Sequence, residues 1–487
     1  MNIEILKNKK LYYVLLGIIF VLAIIIRVLF LINNNVFEDD ECRLIISYLD
    51  QSWLSAFLPL GDAQSAPPLY IIFQRLIGTI VGYKEFILKS VSLIFYAISF
   101  FIFFKLSESF YKNKITVLLL LFFFAINYKL IYYSCSIKQY SLDVLICLLC
   151  IYYLKDINLN NLNKKGLILL TVAFILLPLI SLPSLFYIGA FFIINLVKNY
   201  SNKNFYKKLF CVMIPFILFF GFYYFYNLKP SQTEMIDYYA NTWEIGFAKN
   251  GKYYLLSTIA VNLSWFFLPI KNILFLLILL GFGIYYSCKE KTNLDIYMIV
   301  VFFLVILASI LNQYPFYNRV SLFSFVIILL LIFKPLDLML EKKKLLLFLF
   351  IYLSISGYCF YDFFTKNSLK NLQIPASSKE ITNILIEKYN PETDIIYVNE
   401  ASASSFLFYA SKKNFNSDKV YLLPKENEEI QNLFNNLGTD KKYWIYIVKD
   451  YKTNPILGKV KDNIKKYNEE YSCSIKKSNL IYFSIKK

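Results

Sequence analysis

The sequence predicts a mainly α fold: a polytopic bundle of membrane-spanning helices followed by a small C-terminal α/β domain outside the membrane. Three observations predict it. Of 487 residues, 58% are hydrophobic and 19% aromatic, far more apolar than a soluble globular chain of this length. Apolar runs recur from Leu11 to Tyr361, many long enough to cross a bilayer, separated by short lysine-bearing connectors. From Lys366 the runs shorten and alternate between strand-like and helix-like patterns. The expected division is a membrane domain over residues 1–363, with a first outer loop at 33–66, and an extracytoplasmic α/β domain over 364–487.

A net charge of +18 would suggest nucleic acid in a soluble protein. Here the lysines cluster in the connectors, the pattern of cytoplasmic loops facing anionic headgroups, and no nucleic-acid partner is expected. Histidine is absent, which excludes an imidazole base, triad member or metal ligand. The eight cysteines are scattered. Cys147 and Cys150 lie inside an apolar run and read as small packing residues, and Cys473 has no near neighbour, so no disulfide framework is implied.

In chain order, Leu11 to Ile32 is the first span. It is too long for a signal-peptide core and lacks a small-residue cleavage site, so it is expected to be retained. Lys7, Lys9 and Lys10 place the N-terminus in the cytoplasm. The acidic run Glu38-Asp39-Asp40-Glu41 then falls on the outer face. Adjacent like charges raise one another's pKa, which suits a general base, and in a helix Arg43 would share a face with Asp39 and Asp40. A solvated acidic loop with an Asp39–Arg43 ion pair is the structural alternative.

Leu44 to Leu58, amphipathic in places, suits short helices on the membrane surface. Pro67 and Pro68 fix an extended approach to the apolar run ending near Gly82. Further runs follow at Phe86–Leu106, Ile115–Tyr133, Leu142–Tyr153, Gly166–Val197, Leu209–Leu228, Leu255–Pro269, Ile273–Ser287, Ile296–Asn312, Val320–Phe333 and Leu345–Tyr361. Gly166–Val197 is too long for one span, and Pro178 and Pro183 mark a hairpin. Counting each piece gives about thirteen crossings. If Pro67–Gly82 crosses fully, the lysine-rich connectors 105–114, 155–165 and 198–208 fall outside, against the positive-inside rule. Treating that run and Leu255–Pro269 as re-entrant removes the conflict and gives about eleven crossings. Both versions leave the C-terminus outside. Lys229–Tyr254 is polar, carries Glu234, Asp237, Trp243 and Glu244, and reads either as a lid or as a disordered connector.

In the C-terminal part, Asp394–Val398, Lys419–Leu423 and Tyr443–Val448 read as strands, with helices at Ser404–Lys412, Asn427–Leu437 and Val460–Tyr471. That alternation predicts a mostly parallel sheet. No Gly-rich phosphate loop follows a strand, so an accessory or acceptor-binding role is expected instead of nucleotide binding.

Three stretches taken together carry a resemblance: Asp40-Glu41-Cys42-Arg43, Pro67-Pro68-Leu69-Tyr70, and Ser-Cys-Ser-Ile-Lys-Gln-Tyr-Ser-Leu-Asp at 134–143. In this order and spacing they resemble the bacterial branch of the GT-C membrane glycosyltransferases. That branch includes protein O-mannosyltransferase-like enzymes, aminoarabinose transferases of lipid A and rhizobial galacturonic-acid transferases. Tyr314-Pro315-Phe316-Tyr317-Asn318-Arg319 and the small outer domain also resemble its members.

The resemblance implies a GT-C-type bundle in the bacterial inner membrane. It also implies inverting transfer of a sugar from a polyprenyl-phosphate donor to a glycolipid, cell-surface polysaccharide or protein acceptor on the outer face. Asp40 would be the base, with Glu41 beside it, and Arg43 would lie near the carrier phosphate. Asp39, Asp62, Pro67, Tyr70, Lys138, Tyr140 and Arg319 complete the expected substrate-binding set. The aminoarabinose transferases place Lys before the two prolines, where this chain has Ala66, so Lys138 or Arg319 would hold the phosphate here. Such a displacement needs one base and cations for the departing phosphate, and no cofactor. Glu38, Asp39, Asp40 and Glu41 offer oxygen ligands that would suit magnesium or manganese, but no obligatory metal is expected.

The auxiliary residues have plainer readings beside these. Lys138 at a headgroup, Tyr140 in an aromatic belt, Arg319 anchoring a helix end, and Asp62 and Asp143 as hydrogen-bonding struts would serve structure alone. The rival functions are a transporter or flippase of lipid-linked sugars, and an O-antigen ligase or polymerase. The first would want charged or broken helices at mid-membrane and inverted halves, and no internal repeat is visible. The second would be expected to depend on arginines in a large late outer loop, and the loop at Asn312–Arg319 is short.

Overall fold

The computed structural model describes residues 9–49, 51–61, 64–238, 254–267, 273–341, 377–424, 427–438, 441–448, 460, 462–464, 468–475 and 478–484. The chain divides into two compact units, one formed by Met1–Leu31 and Ser52–Leu369, the other by Ile32–Gln51 and Lys370–Lys487. The expected first outer loop is thereby divided, its acidic part grouping with the C-terminal residues.

The first unit is helical. In chain order it contains α1 (Lys9–Asn33), then, after α2 (Asp39–Leu49) of the second unit, α3 (Pro68–Val81), α4 (Glu85–Phe110), α5 (Lys114–Ile126), α6 (Tyr128–Tyr133) and α7 (Tyr140–Leu154). It continues with α8 (Lys164–Ile180), α9 (Ser184–Asn199), α10 (Lys203–Tyr223), α11 (Lys229–Tyr238), α12 (Tyr254–Phe266), α13 (Ile273–Glu290), α14 (Asn293–Ile310) and α15 (Phe325–Glu341). Among the described residues, six helices are long and apolar enough to cross a membrane: Lys9–Asn33, Glu85–Phe110, Lys203–Glu234, Ile273–Glu290, Asn293–Ile310 and Asn318–Leu340. Five shorter apolar helices, Pro68–Val81, Lys114–Ile126, Tyr140–Leu154, Ser184–Asn199 and Leu255–Phe266, accompany them. This is a multi-pass membrane protein. Helix α1 shows the expected partition: Tyr12, Ala23, Ile26 and Phe30 are buried, whereas Ile18, Val21, Ile25, Leu29 and Ile32 expose apolar surface of the kind lipid accepts.

Local chemistry sets where these helices stop. Gly82, at φ 70°, lets α3 end in a left-handed cap, with the Tyr83 N–H donating to the Gly78 carbonyl. The expected hairpin in Gly166–Val197 is present as α8 and α9, separated by Ser181–Pro183. Ile115–Tyr133, expected as one run, is broken at Asn127, where ψ of 121° ends α5 and the side chain accepts the Leu130 N–H to start α6. A polar residue with a short acceptor side chain competes there with the helix's own hydrogen bonds. Lys229, read as the start of a polar connector, instead continues the helix through a π turn at Tyr224–Leu228 into α11. Trp243 and Glu244 of that connector, and the run Leu345–Tyr361, lie outside the described residues.

Two packing features fix the later helices. A Cβ at Gly283 would lie 2.0 Å from the Leu331 carbonyl oxygen, so α13 and α15 approach backbone to backbone. Buried Lys334 places its Nζ 2.6 Å from Glu290 and 3.5 Å from Asp295, above the ring of Phe110.

The second unit holds α2, α16 (Ser377–Lys388), β1 (Asp394–Asn399), α17 (Glu400–Ser411), β2 (Val420–Leu423), α18 (Asn427–Asn435), β3 (Lys442–Val448), β4 (Asn468–Ile475) and β5 (Ser478–Ser484). The strand order is β2-β1-β3-β5-β4. The first three strands run parallel, as expected, but β5 pairs antiparallel with β3 and with β4, so the sheet is mixed, not mostly parallel. The expected helix Val460–Tyr471 is cut short: 462–464 are helical and β4 begins at Asn468. One face of the sheet buries Tyr443, Ile445, Ile447 and Phe483 with Phe434 of α18. The other buries Ile396, Val398, Trp444 and Tyr446 against Ile381, Leu385 and Phe406.

Candidate functional site

In the second unit the acidic run forms the first turn of α2, so it is a helix start and not a loop. The Glu38 carbonyl accepts the N–H groups of Glu41 and Cys42 at 3.0 and 2.8 Å. In return the Glu41 carboxylate accepts the Glu38 N–H at 3.0 Å, half of a capping box. Acids in a helix's first turn are also favoured by its dipole, which offsets their mutual repulsion. Glu41, Leu44, Ile45 and Tyr48 form the buried face of α2, which packs on α17.

Asp39 has two partners. One oxygen accepts the backbone N–H of Ser405 at 2.9 Å, and the other lies 3.2 Å from Arg43 Nη2, the ion pair read from the i, i+4 spacing. Burial pushes the Asp39 carboxyl above the ordinary range, the Ser405 N–H and Arg43 pull it back, and Asp40 adds to the rise. The Phe37 N–H donates to the Tyr409 hydroxyl at 2.9 Å, and its ring meets Phe408 edge-on. Ser405 and Tyr409, one helical turn apart on α17, thus hold the start of α2. Asp40 is half-buried beside them. Among the described residues no three carboxylate, thiol or imidazole groups converge as metal ligands.

In the first unit, the turn 134–139 between α6 and α7 is strapped to the segment 64–74. Lys138 Nζ donates to Gln64 Oε1 at 2.6 Å, Gln139 donates to the Ser65 carbonyl at 3.2 Å, and the buried Tyr70 hydroxyl donates to the Ile137 carbonyl. Gln74 donates to Tyr70 at 2.9 Å. From α4, Ser92 Oγ donates to the Ser136 carbonyl at 2.5 Å while Ser141 returns a bond to the Ser92 carbonyl. Pro67 caps α3 in extended conformation, which aims Tyr70 inward from the first turn. At the start of α7, Tyr140 meets Tyr133 at 5.0 Å, and the guanidinium of Arg319 lies 5.9 Å from the centre of the Tyr140 ring. Tyr133 is in turn 6.1 Å from Trp265, over which Lys129 places its ammonium at 4.5 Å.

Of the residues singled out from sequence, Tyr70 and Lys138 meet on this strap, with Pro67 setting α3. Tyr140 and Arg319 meet each other, while Asp39, Asp40, Glu41 and Arg43 lie together on α2. Asp62 lies outside the described residues. Asp143 accepts the Ser181 hydroxyl at 2.6 Å, the strut role. Sequence reading did not single out Gln64, Gln74, Ser92, Ser405 or Tyr409. Only Gln74, at i+4 from Tyr70, carried a local signal.

No protein-family model matches the sequence, and no curated protein does. Over almost its whole length the chain is similar to ArnT from Cupriavidus metallidurans. The apo structure gives a TM-score of 0.49 at 10% identity, covering 96% of this chain and 98% of that one. The structure bound to undecaprenyl phosphate gives 0.49 at 10%, covering 98% of both chains. The Archaeoglobus fulgidus oligosaccharyltransferase, in complex with zinc and sulfate, is similar at TM-score 0.49 and 10% identity over 96% of this chain and 73% of that one.

Proposed function

We propose that the protein is a membrane glycosyltransferase that moves a sugar from a polyprenyl-phosphate carrier to a hydroxyl acceptor. The observation that carries this reading is the acidic first turn of α2: Asp39 is tied to Ser405 and Arg43, Glu41 caps the helix, and the half-buried Asp40 lies between them in sequence.

In the reaction, the Asp40 carboxylate takes the proton of the acceptor hydroxyl as its oxygen bonds to the anomeric carbon. The bond from that carbon to the phosphate oxygen breaks, and the phosphate leaves with the electron pair as the carrier monophosphate. Attack from the opposite face inverts the centre. Lys138 and Arg319 supply positive charge to the departing phosphate, which is the group whose charge grows in the transition state. Arg43 contributes a further cation, and Tyr70, with Pro67 before it, sets the strap that carries Lys138. Glu41, by starting α2, holds Asp40 in place. The outer face of the bacterial inner membrane is the compartment this reading implies, with a glycolipid, polysaccharide or protein as acceptor.

The test compares glycolipids, surface polysaccharide and glycoproteins by mass in cells with and without the protein. A mass difference of one sugar unit in one of these fractions is expected. Identical profiles in all three would remove the reading.

A further inference from the structure

Arg27 is a fully buried cation of the membrane bundle that neither the sequence motifs nor the proposed chemistry uses. It lies inside the apolar run of α1 and is 0% exposed. Its Nη1 donates to the carbonyls of Ala125, at 2.7 Å, and Ala23, at 3.0 Å. Its guanidinium carbon sits 3.4 Å from the centre of the Tyr96 ring, and among the described residues Nε and Nη2 meet no hydrogen-bond acceptor in good geometry. An apolar side chain would pack α1 into this aromatic surrounding without desolvating a charge. The arginine therefore needs a reason, and its strongest contact supplies one.

Ala125 is one of the last residues of α5, whose final carbonyls lack helical partners because the chain turns at Asn127. A cation is favoured at such a C-terminus. The same residue also meets the chain beyond the break: the Cys135 thiol donates to the Arg27 carbonyl at 3.4 Å. Arg27 thus holds both sides of the joint, its side chain on Ala125 before it and its backbone on Cys135 after it. Asn127 secures the joint from the other direction by donating to the Phe266 carbonyl at 2.8 Å. Immediately after Cys135 comes the strap on which Ser136, Ile137 and Lys138 meet Ser92, Tyr70 and Gln64.

We propose that Arg27 is a positioning residue that fixes the α5–α6 joint and, through it, the strap presenting Lys138. Its functional consequence, tighter hold on a phosphate, rests on the reading of Lys138 given above; its structural consequence does not.

Native cysteines report on this directly. In a full-length chain in nanodiscs retaining only Cys135, Cys147 and Cys150, which are all buried, alkylation by N-ethylmaleimide is followed by mass spectrometry. With Arg27→Met, Cys135 is expected to react about tenfold faster while Cys147 and Cys150 stay protected. Affinity for undecaprenyl phosphate, used as the probe, is expected to fall about tenfold. Arg27→Lys should recover part of both. Unchanged Cys135 reactivity in Arg27→Met, with the helix α7 cysteines protected, would overturn the proposal.

If Arg27→Met exposes all three cysteines, Asn127→Ala decides: faster reaction at Cys135 alone is expected, and no change would overturn the proposal. A wild-type protein that fails to bind undecaprenyl phosphate would sink the reading of Lys138 and leave the labelling result standing as a test of the joint.

Discussion

One carboxylate oxygen of Asp39 accepts the backbone N–H of Ser405, 366 residues away in sequence, at 2.9 Å. The bond ties the acidic turn of α2 to α17, so the C-terminal residues help to build the surroundings of the acids. Asp39→Ala removes the acceptor and the partner of Arg43 together. It should cost about 1.5–3 kcal/mol, the range for hydrogen bonds to charged groups. Hydrogen exchange at the Ser405 amide checks this: exchange there should accelerate, while the β3 amides keep their protection.

The same carboxyl makes the second unit sensitive to pH. Burial holds its folded pKa above the unfolded value, despite the opposing pull of Ser405 and Arg43. A raised folded pKa means that the folded state binds the proton more tightly. Its stabilising contribution is then complete below the ordinary carboxylate value of about 4 and is lost as pH rises through the elevated value. The stability of wild type relative to Asp39→Asn should therefore fall as pH rises from about 4. Chemical denaturation of both proteins across that range measures the difference; a pH-independent difference would contradict it.

Lys138, held 2.6 Å from Gln64, is the cation most firmly placed on the strap. Lys138→Ala should weaken binding of undecaprenyl phosphate about tenfold to a hundredfold, the worth of one charge-assisted hydrogen bond. Gln64→Ala should weaken it less, because the charge stays and only its orientation is loosened. Equilibrium binding in nanodiscs separates the two.

Gly283 leaves no room for a side chain, since a Cβ would lie 2.0 Å from the Leu331 carbonyl. Backbone cannot yield as a flexible side chain would, so Gly283→Ala should force α13 from α15 at a cost of about 1–3 kcal/mol. A thermal melt in detergent should show the loss, and an unchanged midpoint would mean that the two helices part without penalty.

How much of this was legible in the sequence depends on the range of the interaction. The Asp39–Arg43 pair, the break at Ser181–Pro183 and strands β1 to β3 follow from spacing, proline and short apolar runs, all local signals. The break at Asn127 was hidden because Thr116, Asn127 and Lys129 are the few polar residues in a long, mostly apolar run, and the Phe266 carbonyl and Leu130 N–H that hold the break are tertiary or one turn away. Strands β4 and β5 were missed because Lys476 and Lys477 between them carry no glycine or asparagine turn signal. The bonds that tie Gln64, Ser405 and Tyr409 into these sites reach partners 74, 366 and 372 residues distant, which no periodicity encodes.

Sugar transfer by Asp40→Asn in vesicles loaded with a polyprenyl-phosphate sugar tests the central claim most directly. The substitution keeps the shape of the side chain and removes its ability to take a proton, so turnover should fall at least about a hundredfold, with the melting temperature unchanged. Release of polyprenyl phosphate by Asp40→Asn at the wild-type rate would contradict the assignment of that carboxylate as the base.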